Sequence, residues 1–171
     1  MLKDSLIDCG AIKFGNFTLT SGKKSTYYVD IKQASTNPKV LHEIAVEMAK
    51  LVKDNNNTYE LIAGMELGAV PLAVALSLEI TLPYVIIRKE KPSHGTSKQY
   101  VGNLQDGQQV ILVEDVATTG GSVVKAIDIL RGEGVSVDKV LVVVDREEGA
   151  AENLKDYDVE LLPLVKASDL K

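Results

Sequence analysis

Two neighbouring acids, Glu114 and Asp115, are separated by Val116 and Ala117 from a run of hydroxyls and glycines, Thr118-Thr119-Gly120-Gly121-Ser122. Each part suits one kind of ligand group. Glycines let backbone N–H groups come close to a phosphate, and the hydroxyls of Thr118, Thr119 and Ser122 add donors. A helix starting here contributes the partial positive charge of its N-terminus. An ionised carboxylate only accepts hydrogen bonds, so the acids suit donors such as the two hydroxyls of a ribose ring. The competing reading is a buried strand and a glycine turn whose acids cap the next helix. Neither G-x-x-x-x-G-K-[ST] nor G-x-G-x-x-G occurs in the chain, which excludes two other phosphate-binding loops.

The elements that must position these groups follow from apolar periodicity. Residues 110–113 are apolar and mostly β-branched, as in a buried parallel strand. Val123, Val124, Ile127 and Leu130 share one face of a helix that follows the glycines. Further strands are expected at 61–63, 84–87 and 140–144. Helices are expected from Pro38, with Leu41, Ile44, Ala45, Met48 and Leu51 as its stripe, and over 70–78. A polar turn at 54–57 ends the first of these, and His42 beside its stripe reads as a surface residue. This alternation predicts an α/β protein with a parallel sheet, which binds ligands beyond the carboxyl ends of its strands. Segments 64–68, 88–94 and 114–122, with Asp145 and Arg146, all fall at that edge.

Flanking segments are simpler. Residues 2–9 read as a short helix stopped by Gly10, and 14–20 and 26–31 as strands joined by the charged turn 21–24. Residues 147–157 read as a helix and 159–162 as an edge strand. The stretch 88–106 reads as a long loop, basic at Arg88, Lys89, Lys91 and His94, with 96–99 lacking apolar periodicity. Such a loop is either a solvated charge run or a lid that closes on a polyanion. Arg146 is either a solvated strand end or a recognition residue, whose planar fork suits a carboxylate.

Residues 110–122 resemble the phosphoribosyl-diphosphate (PRPP) binding motif of type I phosphoribosyltransferases at all thirteen positions. Residues 10–30 resemble the N-terminal hood of orotate phosphoribosyltransferases. The lid of that family reads R-K-x-x-K-x-H-G, and Arg88, Lys89, His94 and Gly95 match it; Pro92 stands where the second lysine belongs, with Lys91 one position early. Some members carry lysines at the positions of Thr20 and Gly68, which this chain lacks.

The resemblance implies the type I phosphoribosyltransferase fold: a central, mainly parallel sheet flanked by helices, with a small hood (about 1–35), a core (about 36–171) and a flexible lid, all in one domain. It implies transfer of phosphoribose from PRPP to orotate, giving orotidine 5′-monophosphate and pyrophosphate in de novo pyrimidine (UMP) biosynthesis. PRPP would meet Arg88, Lys89, Lys91, His94, Glu114, Asp115, Val116, Ala117, Thr118, Thr119, Gly120, Gly121 and Ser122. Orotate would meet Thr118 and Arg146, while Lys91, His94 and Asp115 would act in catalysis. Lys91 is expected to take over the task of the displaced lysine. Mg²⁺ would arrive on PRPP or pyrophosphate, with no metal site built from protein side chains. A homodimer with shared active sites is implied. The alternatives are a transferase for uracil or a purine, or a non-catalytic PRPP-sensing regulator.

Composition bounds the rest. The chain has 171 residues and a net charge of −5, which argues against a general nucleic-acid binder. Cys9 is the single cysteine, so no internal disulfide or cysteine-rich zinc site can form. No apolar run approaches the ~18 residues of a membrane span, and the acidic start lacks the apolar core of a signal peptide. A cytoplasmic protein without membrane contact is expected.

Overall fold

The computed structural model describes residues 1–55, 58–95 and 98–171. Asn56, Asn57, Thr96 and Ser97, expected in the polar turn and the lid, lie outside the described residues. Among the described residues the chain runs α1 (Leu2–Asp8), β1 (Ile12–Thr18), β2 (Lys24–Val29), α2 (Ile31–Ser35), α3 (Pro38–Asp54), β3 (Leu61–Met65), α4 (Ala69–Ile80), β4 (Tyr84–Ile87), β5 (Tyr100–Val101), β6 (Gln109–Ala117), α5 (Gly121–Gly132), β7 (Ser136–Asp145), α6 (Ala150–Lys155) and β8 (Glu160–Lys166). A short 3₁₀ turn, Ala167–Leu170, follows.

The main sheet has the order β5-β4-β3-β6-β7-β8. All its pairings are parallel except β4 with β5. Its middle strands are buried on both faces. In β6, Ile111 and Val113 join one apolar cluster with Ile44, Met48 and Leu72, and Val110 and Leu112 join another with Val123, Ile127 and Leu130. The first cluster lies under α3 and α4, the second under α5. This two-sided burial explains why residues 110–113 show a continuous apolar run rather than alternation. Truncating one such side chain to alanine typically costs about 2–5 kcal/mol.

β1 and β2 form a separate antiparallel pair, with a bulge between Phe14 and Phe17. It is tied to the core through Ala11 and Ile12, which share a cluster with Leu6, Ile31 and Ile111. β2 alternates exposed and half-buried positions, so Ser25, Tyr27 and Val29 share its inner face.

Several boundaries differ from the periodicity reading. The second strand ends at Val29 because Asp30 caps a helix: its carboxylate accepts from the Lys32 backbone N–H at 3.1 Å, and Ile31 becomes the first residue of α2. The stripe of α3 is rotated towards Val40, Ile44, Ala45, Met48 and Val52, leaving Leu41 and Leu51 half-buried. Asn37 caps this helix by accepting from Lys39 and Val40 N–H groups at 3.0 and 3.3 Å. The expected loop 88–106 contains β5, too short for any periodic signal. α6 is shorter than expected, because Gly149 (φ +108°) starts it three residues later. β8 extends to Lys166 through pairing with β7.

Candidate active site

Strand register assembles the site. Ala117 of β6 pairs with Asp145 of β7, so Arg146 lies beside the start of the hydroxyl–glycine turn, and its N–H donates to Ala117 O at 3.0 Å. Gly64 of β3 pairs with Val113, which places residues 66–68 beside the acids. Met65 pairs with Ile87, and Glu66 N–H donates to Ile87 O at 2.9 Å, bringing Lys89 to the same edge.

The turn after β6 is held from behind. Ala150 N–H donates to Thr118 O at 3.1 Å, and the Asn153 side-chain amide donates to Thr119 O at 2.7 Å. Gly120 is the N-cap of α5 at φ +91°, a conformation in which other residues are strained. Among the described residues no side chain caps this helix. Glu114 and Asp115 instead accept from backbone N–H groups beside them, so the helix-capping alternative does not hold. Thr118, Thr119, Gly121 and Ser122 are exposed, leaving hydroxyls and first-turn N–H groups accessible to an anion. Ala117 and Gly120 are buried and serve through the backbone.

The two acids differ in state. Glu114 is buried, and its Oε1 accepts from Asp115 N–H at 3.0 Å. Desolvation, reinforced by a hydrogen bond to Asp115 and its charge, pushes the Glu114 carboxyl up to about 9, against the pull of Lys89. Burial therefore favours the protonated form of Glu114 in the free protein, whereas the sequence alone reads both acids as ionised acceptors. Asp115 is half-buried, and its Oδ1 accepts from Val116 N–H at 2.9 Å.

Two cavities meet at Asp115. One, of about 510 Å³, lies between the β1–β2 hood and the turn; its walls include Thr18, Thr20, Tyr28, Thr118, Thr119 and Arg146. The other, of about 340 Å³, is walled by Met65, Glu66, Gly68, Lys89, Glu114 and Ser122. Lys32, Asp115 and Val116 line both. A third cavity, of about 460 Å³, lies among Leu2, Glu43, Glu47 and Leu164 and includes no residue of the motif.

Arg146 is not a solvated strand end. It is only 8% exposed, and its guanidinium carbon sits 4.4 Å from the centre of the Tyr27 ring. Ser25 Oγ accepts weakly from Nη2 at 3.4 Å, and a Glu148 carboxylate oxygen stands 3.8 Å from Nε, too far for a hydrogen bond. Among the described residues Nε has no hydrogen-bond partner. A buried guanidinium in the wall of a cavity suits a carboxylate acceptor. Burial also raises the Tyr27 hydroxyl pKa, against the pull of Arg146.

The lid residues divide. Lys89 lines the smaller cavity, and its backbone N–H donates to Glu66 Oε1 at 2.9 Å. Arg88 is exposed, its backbone held by Gln99. Lys91 and His94 are exposed and line neither cavity. Motif reading gave no site role to Ser25, Tyr27, Lys32 or Glu66. Alternation along 26–31 marks Tyr27 as inward-facing and segment 64–68 lies at the expected edge, but nothing local singles out Ser25, Lys32 or the Glu66 side chain.

Similarity to known proteins covers the whole assembly. The phosphoribosyl transferase domain model matches residues 30–166. The orotate phosphoribosyltransferase of Picrophilus torridus is 52% identical over 171 residues, spanning 100% of both chains. The crystal structure of orotate phosphoribosyltransferase from Aeropyrum pernix superposes with a TM-score of 0.88 at 33% identity, covering 98% of this chain and 94% of that one. The Mycobacterium tuberculosis enzyme in complex with PRPP superposes with a TM-score of 0.80 at 28% identity, covering 99% and 97%.

Proposed function

The chain belongs to the phosphoribosyl transferase domain family, among its orotate phosphoribosyltransferases, and from that membership we propose how its site works. It transfers phosphoribose from PRPP to orotate in pyrimidine biosynthesis, releasing pyrophosphate. The observation that carries the choice of orotate is Arg146, a buried guanidinium in the wall of the larger cavity whose Nε has no hydrogen-bond partner among the described residues and only a Glu148 carboxylate at 3.8 Å. A neutral base such as uracil or hypoxanthine brings no carboxylate to that donor.

In this reading the uncapped start of α5, with Thr118, Thr119 and Ser122, holds the 5′-phosphate. Asp115 accepts from the ribose, and the smaller cavity with Lys89 holds the diphosphate. Mg²⁺ enters as part of the substrate, chelated by the diphosphate. The anomeric carbon then lies where the cavities meet. Cleavage there develops positive charge on the sugar and negative charge on the departing pyrophosphate, so positioning and fixed charges supply the catalysis. Lys91 and His94, exposed in one subunit, act in the neighbouring site of a homodimer. The protein works in the cytoplasm as one phosphoribosyltransferase domain; among the described residues no helix is long and apolar enough to cross a membrane.

The test supplies PRPP and Mg²⁺ and compares orotate, uracil and hypoxanthine as acceptors. Orotidine 5′-monophosphate formed with orotate alone is the expected result. Preferential use of a neutral base would overturn the role of Arg146, and PRPP binding without turnover of any base would make the protein a sensor.

A further inference from the structure

Lys32 has no place in the reading above, yet it lines both cavities, together with Asp115 and Val116. It is the only cation among those shared residues. It sits in the first turn of α2, which packs against β6. Its ammonium lies 3.7 Å from Asp30 Oδ1, with the two side chains 56% and 32% exposed. Such a partly solvated pair contributes little and is readily exchanged for a better anion.

The smaller cavity is short of positive charge. Glu66 and Asp115 line it, burial favours the neutral form of Glu114 beside them, and a diphosphate would add negative charge; its cations among the described residues are Lys32 and Lys89. Position 68 supplies no cation here: it is a glycine, and a Cβ on it would meet the Asp115 carboxylate, which would have to shift. Lys91 and His94 are exposed and outside the cavity of their own subunit, and in the reading above they serve the neighbouring site. Lys32 is therefore the cation that a subunit itself places at the junction to which that reading assigns the scissile bond.

We infer that Lys32 is a diphosphate-binding residue, which leaves Asp30 and pairs with the pyrophosphate oxygen that departs from the anomeric carbon. This rests on the transferase reading above. The C1–O bond breaks with its electron pair going to that oxygen, and the ammonium meets the charge as it forms. Orotate N1 supplies the pair for the new C1–N bond and gives its proton to water. A long, flexible lysine stem suits this exchange, since an ammonium needs no strict direction.

The test compares wild type with Lys32→Met and Lys32→Arg. Titration calorimetry with Mg²⁺–pyrophosphate and with PRPP is followed by kinetics in both directions, and thermal melts check folding. Lys32→Met is expected to weaken pyrophosphate at least tenfold and lower kcat/KM for PRPP at least thirtyfold. KM for orotate should stay within twofold, and Lys32→Arg should recover most of the loss. Pyrophosphate affinity within threefold of wild type in a folded Lys32→Met protein would overturn the inference. So would a loss that falls on orotate instead. Calorimetry needs no turnover. A wild type that binds pyrophosphate but does not convert orotate refutes the transferase reading, and the Lys32→Met titration still decides this one.

Discussion

Replacing Arg146 with alanine separates recognition from folding. The side chain is 8% exposed, lies 4.4 Å from the Tyr27 ring centre and leaves Nε without an acceptor. A hydrogen bond to a charged partner contributes about 1.5–3 kcal/mol. At ~1.36 kcal/mol per decade, loss of the orotate carboxylate pair lowers kcat/KM for orotate by about tenfold to 150-fold. The folding cost is smaller. The stacking on Tyr27 contributes about 0.5–2 kcal/mol, and removing an unpaired buried Nε offsets part of it. At roughly 2–4 °C per kcal/mol for a chain of this size, the melting temperature should fall by only a few degrees. Initial rates would be measured with orotate varied at saturating PRPP, and PRPP affinity by calorimetry. PRPP affinity should stay within about threefold, since Arg146 lines the larger cavity and not the smaller one. Arg146→Lys should recover only part of the loss, because an ammonium lacks the bidentate fork. Equal losses for orotate and PRPP would refute the reasoning.

The other expectations rest on separate contacts. Asp115→Asn should lower kcat/KM for PRPP tenfold or more while melting close to wild type, because a half-buried acceptor at a strand end serves the ligand more than the core; near-normal turnover of the folded variant would remove the ribose role. Glu114 keeps its proton in the fold up to about pH 9 but titrates near 4.5 when unfolded, so the folded state binds the extra proton between these values. Its contribution to stability is full below about pH 4.5 and is lost as pH rises towards 9; melts of Glu114→Gln across pH 5–9 should be flatter than wild type, and parallel curves would contradict the buried proton. Lys91→Ala should lower turnover, and mixing it with Asp115→Asn should restore activity in hybrid dimers. Hybrids that form but stay inactive would confine the lid to its own subunit.

Much of the architecture was legible in the residues themselves. The runs at 61–63, 84–87, 110–113 and 140–144 each became a strand of the main sheet, because short β-branched segments bounded by turns have few other ways to bury both faces. The acids, hydroxyls and glycines of 114–122 marked a candidate site, since their chemistry and spacing are local properties, and several of them line the two cavities. What the tertiary structure decided depends on distant partners. β5 exists because Tyr100 and Val101 found the edge of β4, and Ile31 turned into a helix because Asp30 capped it. Parallel register, set by pairing across crossovers, brought Arg146 under Tyr27 and Lys32 to the junction of two cavities. Burial then fixed the protonation of Glu114, which no sequence window reveals, because the cost of a charge is set by whatever surrounds it in space.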